Sequence, residues 1–188
     1  MKRGWIFTLA ALGWLICIIT TTTATYFDPT YQPFNKLLSD VGISEGISAN
    51  LFNWGLIITG ICLFPISFYL AALREMIAVV CWVISNISLV GLGIFTVSSA
   101  ETLHEFCATG FFVTLYVAMS IITVRLIKVP RIRAYKISLV ILLMLSLAYI
   151  FLDRRIVQAV IVFSAETWLA LFIASISYHE RKLPFQNS

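Results

Sequence analysis

Long apolar runs alternate with short polar breaks along the chain. Six runs approach the length of a membrane-spanning helix, which needs ~20 mostly apolar residues because its backbone must satisfy its own hydrogen bonds in lipid. They fall at about Trp5–Phe27, Ala49–Leu73, Met76–Ser99, Phe106–Ile127, Ile137–Leu152 and Ile156–Tyr178. The fifth is short, and Tyr135 and the snorkelling stem of Lys136 extend it. The breaks are Asp28 to Ser48, Arg74-Glu75, Ala100 to Glu105, Lys128 to Lys136 and Asp153-Arg154-Arg155. The pattern predicts an all-α membrane protein, a six-transmembrane-helix bundle forming a single domain over residues 1–188. Lys2, Arg3 and the small residues Thr22 to Ala24 would also suit a signal peptide. The apolar core of such a peptide is only ~7–15 residues long, and the first run is a full span, so it is read as a retained helix.

The longest break predicts an element of its own. Phe34, Leu37, Leu38 and Val41 follow the i, i+3, i+4, i+7 spacing of one helical stripe. Pro33 suits the first turn and Gly42 the stop. A short amphipathic helix is expected here, lying along the interface or capping the mouth of the bundle. It serves either as packing or as the wall of a site. Ser48 is expected to N-cap the second span.

Composition agrees with the pattern. The chain is 60% hydrophobic and 12% charged, with a mean hydropathy of +0.96. Soluble domains run nearer ~45–50% apolar and ~25% charged. A water-soluble enzyme, a disordered chain and a DNA-binding module are poor fits. The net charge of +4 therefore reports orientation before it reports any partner, and no nucleic acid is expected. Ten of the 13 lysines and arginines fall on one side of the predicted spans; only Lys36, Arg154 and Arg155 fall on the other. By the positive-inside rule, both termini are expected in the cytoplasm of a multi-pass cell-membrane protein. Asp28, Asp40, Glu45, Glu101, Glu105 and Asp153 sort to the far side, so any chemistry is expected at the extracytoplasmic mouth. The four cysteines lie within apolar runs without CxxC spacing and read as small hydrophobes.

Three groups of residues can carry chemistry. Glu166 sits halfway along the sixth span, where an anion is costly. It is either a proton-handling or substrate-contacting carboxyl, or a neutral donor in an interhelical hydrogen bond. Asn86, Asn53 and Thr59 read as interhelical hydrogen-bonding residues. Glu101, His104 and Glu105 share one face if that stretch is helical. They suit general acid–base work by His104, a metal, or simply a solvated helix start whose acids favour the N-terminus. The spacing does not complete a diiron or zinc set, so no metal and no cofactor is assigned. Asp153 and Arg154 form an outer turn that can hold a lipid phosphate or pair internally.

Tyr31 to Gly42, with the string N-K-L-L-S-D-V-G, is followed by Leu51-Phe52-Asn53-Trp54-Gly55, and then by His104 with Ala108. This pattern resembles an uncharacterised family of small prokaryotic six-helix membrane proteins with an N-x-x-(I/L)-S-(D/E)-x-G loop, an L-F-N-x-G helix start and an H-x-x-x-A helix start. It is similar, more distantly, to the DRAM, Sfk and Frag membrane superfamily. The resemblance points to Asn35, Ser39, Asp40, Gly42, Asn53 and His104, and it implies lipid handling. Fold alone does not fix that function.

The resulting expectation is binding or modification of a membrane lipid. Asp40, His104 and Glu105 would be the reactive groups, and Asn35, Ser39, Asn53, Glu101, Asp153, Arg154 and Glu166 the binding groups. The alternatives are a structural subunit of a membrane complex, a homo-oligomer among them, and a small proton-coupled carrier using Glu166.

Overall fold

A computed structural model describes residues 4–32, 35–126 and 161–174. Every regular element among the described residues is helical. In chain order these are α1 (Gly4–Phe27), a turn of 3-10 helix (Leu38–Ile43), α2 (Ile47–Leu63), α3 (Ile66–Ala72), α4 (Met76–Ile94), α5 (Val97–Leu126) and α6 (Ile161–Ala174). Four stretches are long and apolar enough to cross a membrane: α1, α2 continued by α3, α4, and α5. The surface is inverted relative to a soluble protein. Ile19, Trp54, Ile87, Phe106 and Phe163 are exposed, while Thr59, Ser85, Asn86 and His104 are buried. Lipid is the solvent such a surface requires, with polar groups turned inward as interhelical glue. The chain is a multi-pass membrane protein.

Neighbouring spans pack in sequence, α1 on α2, α2 on α4 and α4 on α5. Residues 28–46 and the α4–α5 connection lie at one end, called here the loop end, and the α3–α4 turn lies at the opposite end. α6 descends from the loop end. Ile161 lines a cavity with Asp40 and Glu105, whereas Trp168 and Phe172 join the core of Ile6, Leu70 and Trp82 at the opposite end.

Pro65 divides the second span. It has no N–H to continue the helix, and the Ser67 N–H turns to the Phe64 carbonyl at 3.0 Å. The Leu63 carbonyl that this releases accepts the indole N–H of Trp82 at 3.0 Å. α3 then closes in a Schellman arrangement. The Arg74 N–H reaches the Ala71 carbonyl and the Glu75 N–H reaches Leu70. Arg74 takes φ 59°, the left-handed position that glycine usually fills.

The structure corrects several expectations. The amphipathic element is a 3-10 turn over Leu38–Ile43 that runs through Gly42, not an α-helix starting near Pro33; Phe34 lies outside the described residues. Local hydrogen bonds, detailed below, explain the tighter winding. Ser48 does not cap α2. Gly46, at φ 79°, occupies that position, and the Ser48 hydroxyl donates to the Ala24 carbonyl at 2.6 Å, tying α2 to α1. The predicted break over 100–105 contracts to a kink at its first residue. α4 ends at Ile94, and a short helical turn from Val97 joins the main part of α5 across Ala100, whose φ of −161° and ψ of 68° are non-helical. The predicted fifth span lies outside the described residues.

Candidate functional site

The described residues between 28 and 46 are organised by short-range bonds within the loop and by one bond from α2. Asp28 follows α1 directly, and its Oδ1 accepts the Thr30 N–H (2.8 Å) and hydroxyl (2.7 Å), an Asx turn. Lys36 Nζ donates to the same Thr30 hydroxyl at 3.0 Å. Burial works against the charged form of Asp28. The Thr30 bonds and the Lys36 charge outweigh it and hold the carboxyl below its ordinary range.

The 3-10 turn is closed by Asp40, whose Oδ2 accepts the Leu37 N–H at 3.0 Å. Its carbonyls are anchored from α2, where Asn53 Nδ2 donates to the Gly42 carbonyl at 2.9 Å. Gly42 is buried so tightly that a Cβ there would lie 2.7 Å from Asn53 Oδ1. Burial, and then the negative charge of Asp40, push the Tyr31 phenol above its ordinary value. The turn is thereby seated against both α2 and α5, over the open end of the bundle.

His104 enters from the second turn of α5. It is 8% exposed, and its Nδ1 lies 2.7 Å from the Phe95 carbonyl oxygen. A carbonyl can only accept, so Nδ1 carries the proton, and Nε2 is the nitrogen left for a ligand. The same bond ties the exit of α4 to α5. Thr96 and Ser99 close the intervening turn by exchanging bonds, Thr96 N–H to Ser99 Oγ (3.0 Å) and Ser99 N–H to Thr96 Oγ1 (3.3 Å).

Two cavities meet at this residue. The outer one has a volume of about 600 Å³ and is walled by Asp40, Glu101, Glu105 and Tyr116, among others. The inner one, about 120 Å³, runs between the helices past Leu56, Leu89 and Phe111 to Trp82 and Glu166. Ser39, His104, Ala108 and Phe112 line both. A cavity edged by acidic groups therefore adjoins a mostly apolar interior one.

Of the residues singled out in the sequence, Asp40, Glu101 and Glu105 line the outer cavity, Ser39 and His104 line both, and Glu166 lines the inner one. Asn35 lines neither. It is exposed, and its Nδ2 donates to Gln32 Oε1. Asn53 also lines neither; it is the anchor of Gly42. Asp153 and Arg154 lie outside the described residues. Glu101, His104 and Glu105 do share the predicted helical face. Among the described residues, no group of three or more His, Cys, Asp or Glu side chains is placed to hold a metal ion.

Two inner-cavity residues were not singled out by sequence reasoning. Trp14 and Cys17 face the cavity from α1, with Thr21 one turn above, and the Cys17 thiol donates to Glu166 Oε1 at 3.7 Å. The signal was their i, i+3, i+7 spacing within a span that otherwise reads as apolar on every side.

A family model described as a protein of unknown function (DUF998) matches residues 11–175. The chain belongs to this family. The match takes in both cavities and every described residue that lines them. Neither a curated protein nor a solved structure matches the chain.

Proposed function

We propose that this DUF998 protein binds a membrane lipid, with the chain in the inner cavity and the polar head among Ser39, Asp40, His104 and Glu105. One observation carries the reading. A narrow, mostly apolar cavity and a wider acidic one share Ser39, His104, Ala108 and Phe112 in their linings, and that polarity profile matches an amphipath rather than a polar solute. Exclusion of water around a buried alkyl chain supplies the affinity, about 0.8 kcal/mol per methylene. The mouth groups supply orientation. Modification of the head belongs to the same reading. With Nδ1–H fixed on Phe95, the Nε2 lone pair of His104 is available as a general base, with Asp40 and Glu105 beside the same cavity to balance charge.

The reading assumes six spans with both ends in the cytoplasm of the cell membrane, which the one-sided distribution of Lys and Arg supports. The mouth then opens to the outer leaflet. The resemblance of the first-loop motif to that of the DRAM, Sfk and Frag superfamily also supports lipid handling.

The test is lipid retention. Protein purified in mild detergent should carry lipid, detected by native mass spectrometry, and Ala108→Trp should remove it by plugging the junction of the cavities. A wild-type chain that carries no lipid, or an Ala108→Trp variant that carries as much as the wild type, would overturn the reading.

A further inference from the structure

The inner cavity is not uniformly apolar at its deep end. The indole N–H of Trp14 is buried with no hydrogen-bond partner. Asn86 is 4% exposed, and its amide N–H is spent on the Trp82 carbonyl of its own helix at 2.7 Å, which leaves Oδ1 without a donor. Glu166 Oε1 accepts only the weak thiol bond from Cys17. All three residues line the same cavity of about 120 Å³. The neighbouring hydroxyls of Thr59 and Ser85 already donate to the Gly13 and Phe111 carbonyls.

A plain alkyl chain reaching this point would leave one donor and at least one acceptor dry, and such groups are costly to bury unpaired. We propose that the deep end of the inner cavity is a hydroxyl-binding subsite, built by Trp14, Asn86 and Glu166, for a lipid that carries an alcohol on its buried segment. This rests on the lipid-binding reading and narrows its ligand class. A hydroxyl is the small group that both accepts, here from Trp14 Nε1, and donates, here to Asn86 Oδ1 or Glu166. An ammonium cannot accept from the indole, and a carboxylate cannot donate to the amide oxygen. Water shares the chemistry of an alcohol, so the test must separate the two sources.

The purified full chain in detergent is titrated calorimetrically with alkanols and with the matching α,ω-diols, from octyl to hexadecyl. A subsite for a ligand hydroxyl predicts that the diol of best-fitting length binds about fivefold or more tightly than its alkanol, the worth of one buried hydrogen bond. Trp14→Phe, which keeps an aromatic ring but loses the donor, should bring the two within about twofold, and Glu166→Leu should act in the same direction. Equal binding of alkanols and diols that Trp14→Phe leaves unchanged would mean that only water fills the deep end, and the subsite is then overturned while the lipid reading stands; equal binding that Trp14→Phe weakens would place the alkanol's own hydroxyl in the subsite and support it. A diol preference that survives in Trp14→Phe overturns it as well, because the hydroxyl is then recognised elsewhere. Binding of neither series removes the lipid reading and the subsite with it. Should Glu166→Leu fail to fold, Trp14→Phe decides.

Discussion

The two ends of the bundle are built on opposite plans. At the end of the α3–α4 turn, Ile6, Phe7, Ile66, Leu70, Trp82, Trp168 and Phe172 form one continuous core, with Trp168 and Phe172 stacked at 5.0 Å. Three residues suffice to connect the helices there. At the loop end the buried apolar cluster contracts to Ala24, Val41 and Phe52, and hydrogen bonds hold the chain in place instead of packed side chains. One end supplies the stability that allows the other to remain hollow. Unfilled volume beside buried polar groups is destabilising and persists where the rest of the structure over-determines the fold.

That contrast can be broken from either side. The largest effect should come from the packed end. Trp82→Ala deletes a side chain only 1% exposed and orphans the Leu63 carbonyl, so thermal unfolding in detergent should report a loss of about 3–5 kcal/mol. Asp40→Ala at the hollow end removes a cap worth about 1 kcal/mol. Hydrogen exchange should rise across residues 37–43 while the unfolding temperature of the bundle barely moves.

Gly42→Ala should loosen the same turn by pressing on Asn53, and it should cost less in an Asn53→Ala background, where the obstructing amide is gone. Acid should act there too. The folded-state pKa of Asp28 is lowered, so its contribution is complete above the ordinary carboxylate range and is lost as pH falls through the lowered value. Proteolysis between residues 28 and 46 should accelerate in that range, and Asp28→Asn should abolish the pH dependence. The smallest effect has the opposite sign. Arg74→Gly relieves a left-handed residue at a cost of about 1–2 kcal/mol, partly offset by the freer unfolded chain, and should raise the unfolding temperature slightly.

The sequence made the helices legible and the connections less so. Lipid forces every span to be long, apolar and internally bonded, so α1, the α2–α3 span and α4 start within a few residues of their expected positions, whereas α5 starts nine residues before the expected Phe106. The loop was misjudged because hydrophobic periodicity at Leu37, Leu38 and Val41 is blind to what Asp40 and Asn53 bond. A side chain that caps its own turn is written in the same letters as one that faces a ligand. Ser48 shows the same ambiguity, since a hydroxyl at a helix start can serve that helix or the carbonyl of another. Charge sorting and helical spacing put Asp40, Glu101, His104 and Glu105 at one mouth, and all four line the outer cavity; Glu166, read only as a mid-span carboxyl, lines the inner one. Trp14 and Cys17 were not, because an aromatic ring and a thiol count as apolar until a structure shows which face of the helix they occupy.

The bond from Trp82 to Leu63 also fixes how far the interior can reach. A proline break is often a place where a helix kinks, and here the released carbonyl is tied to a neighbouring span by the Trp82 indole. Trp82 and Leu63 both stand at the bottom of the inner cavity. On the proposed lipid reading, a chain threading down from the mouth would meet that pair, and the depth of the cavity would set the length of chain it accepts.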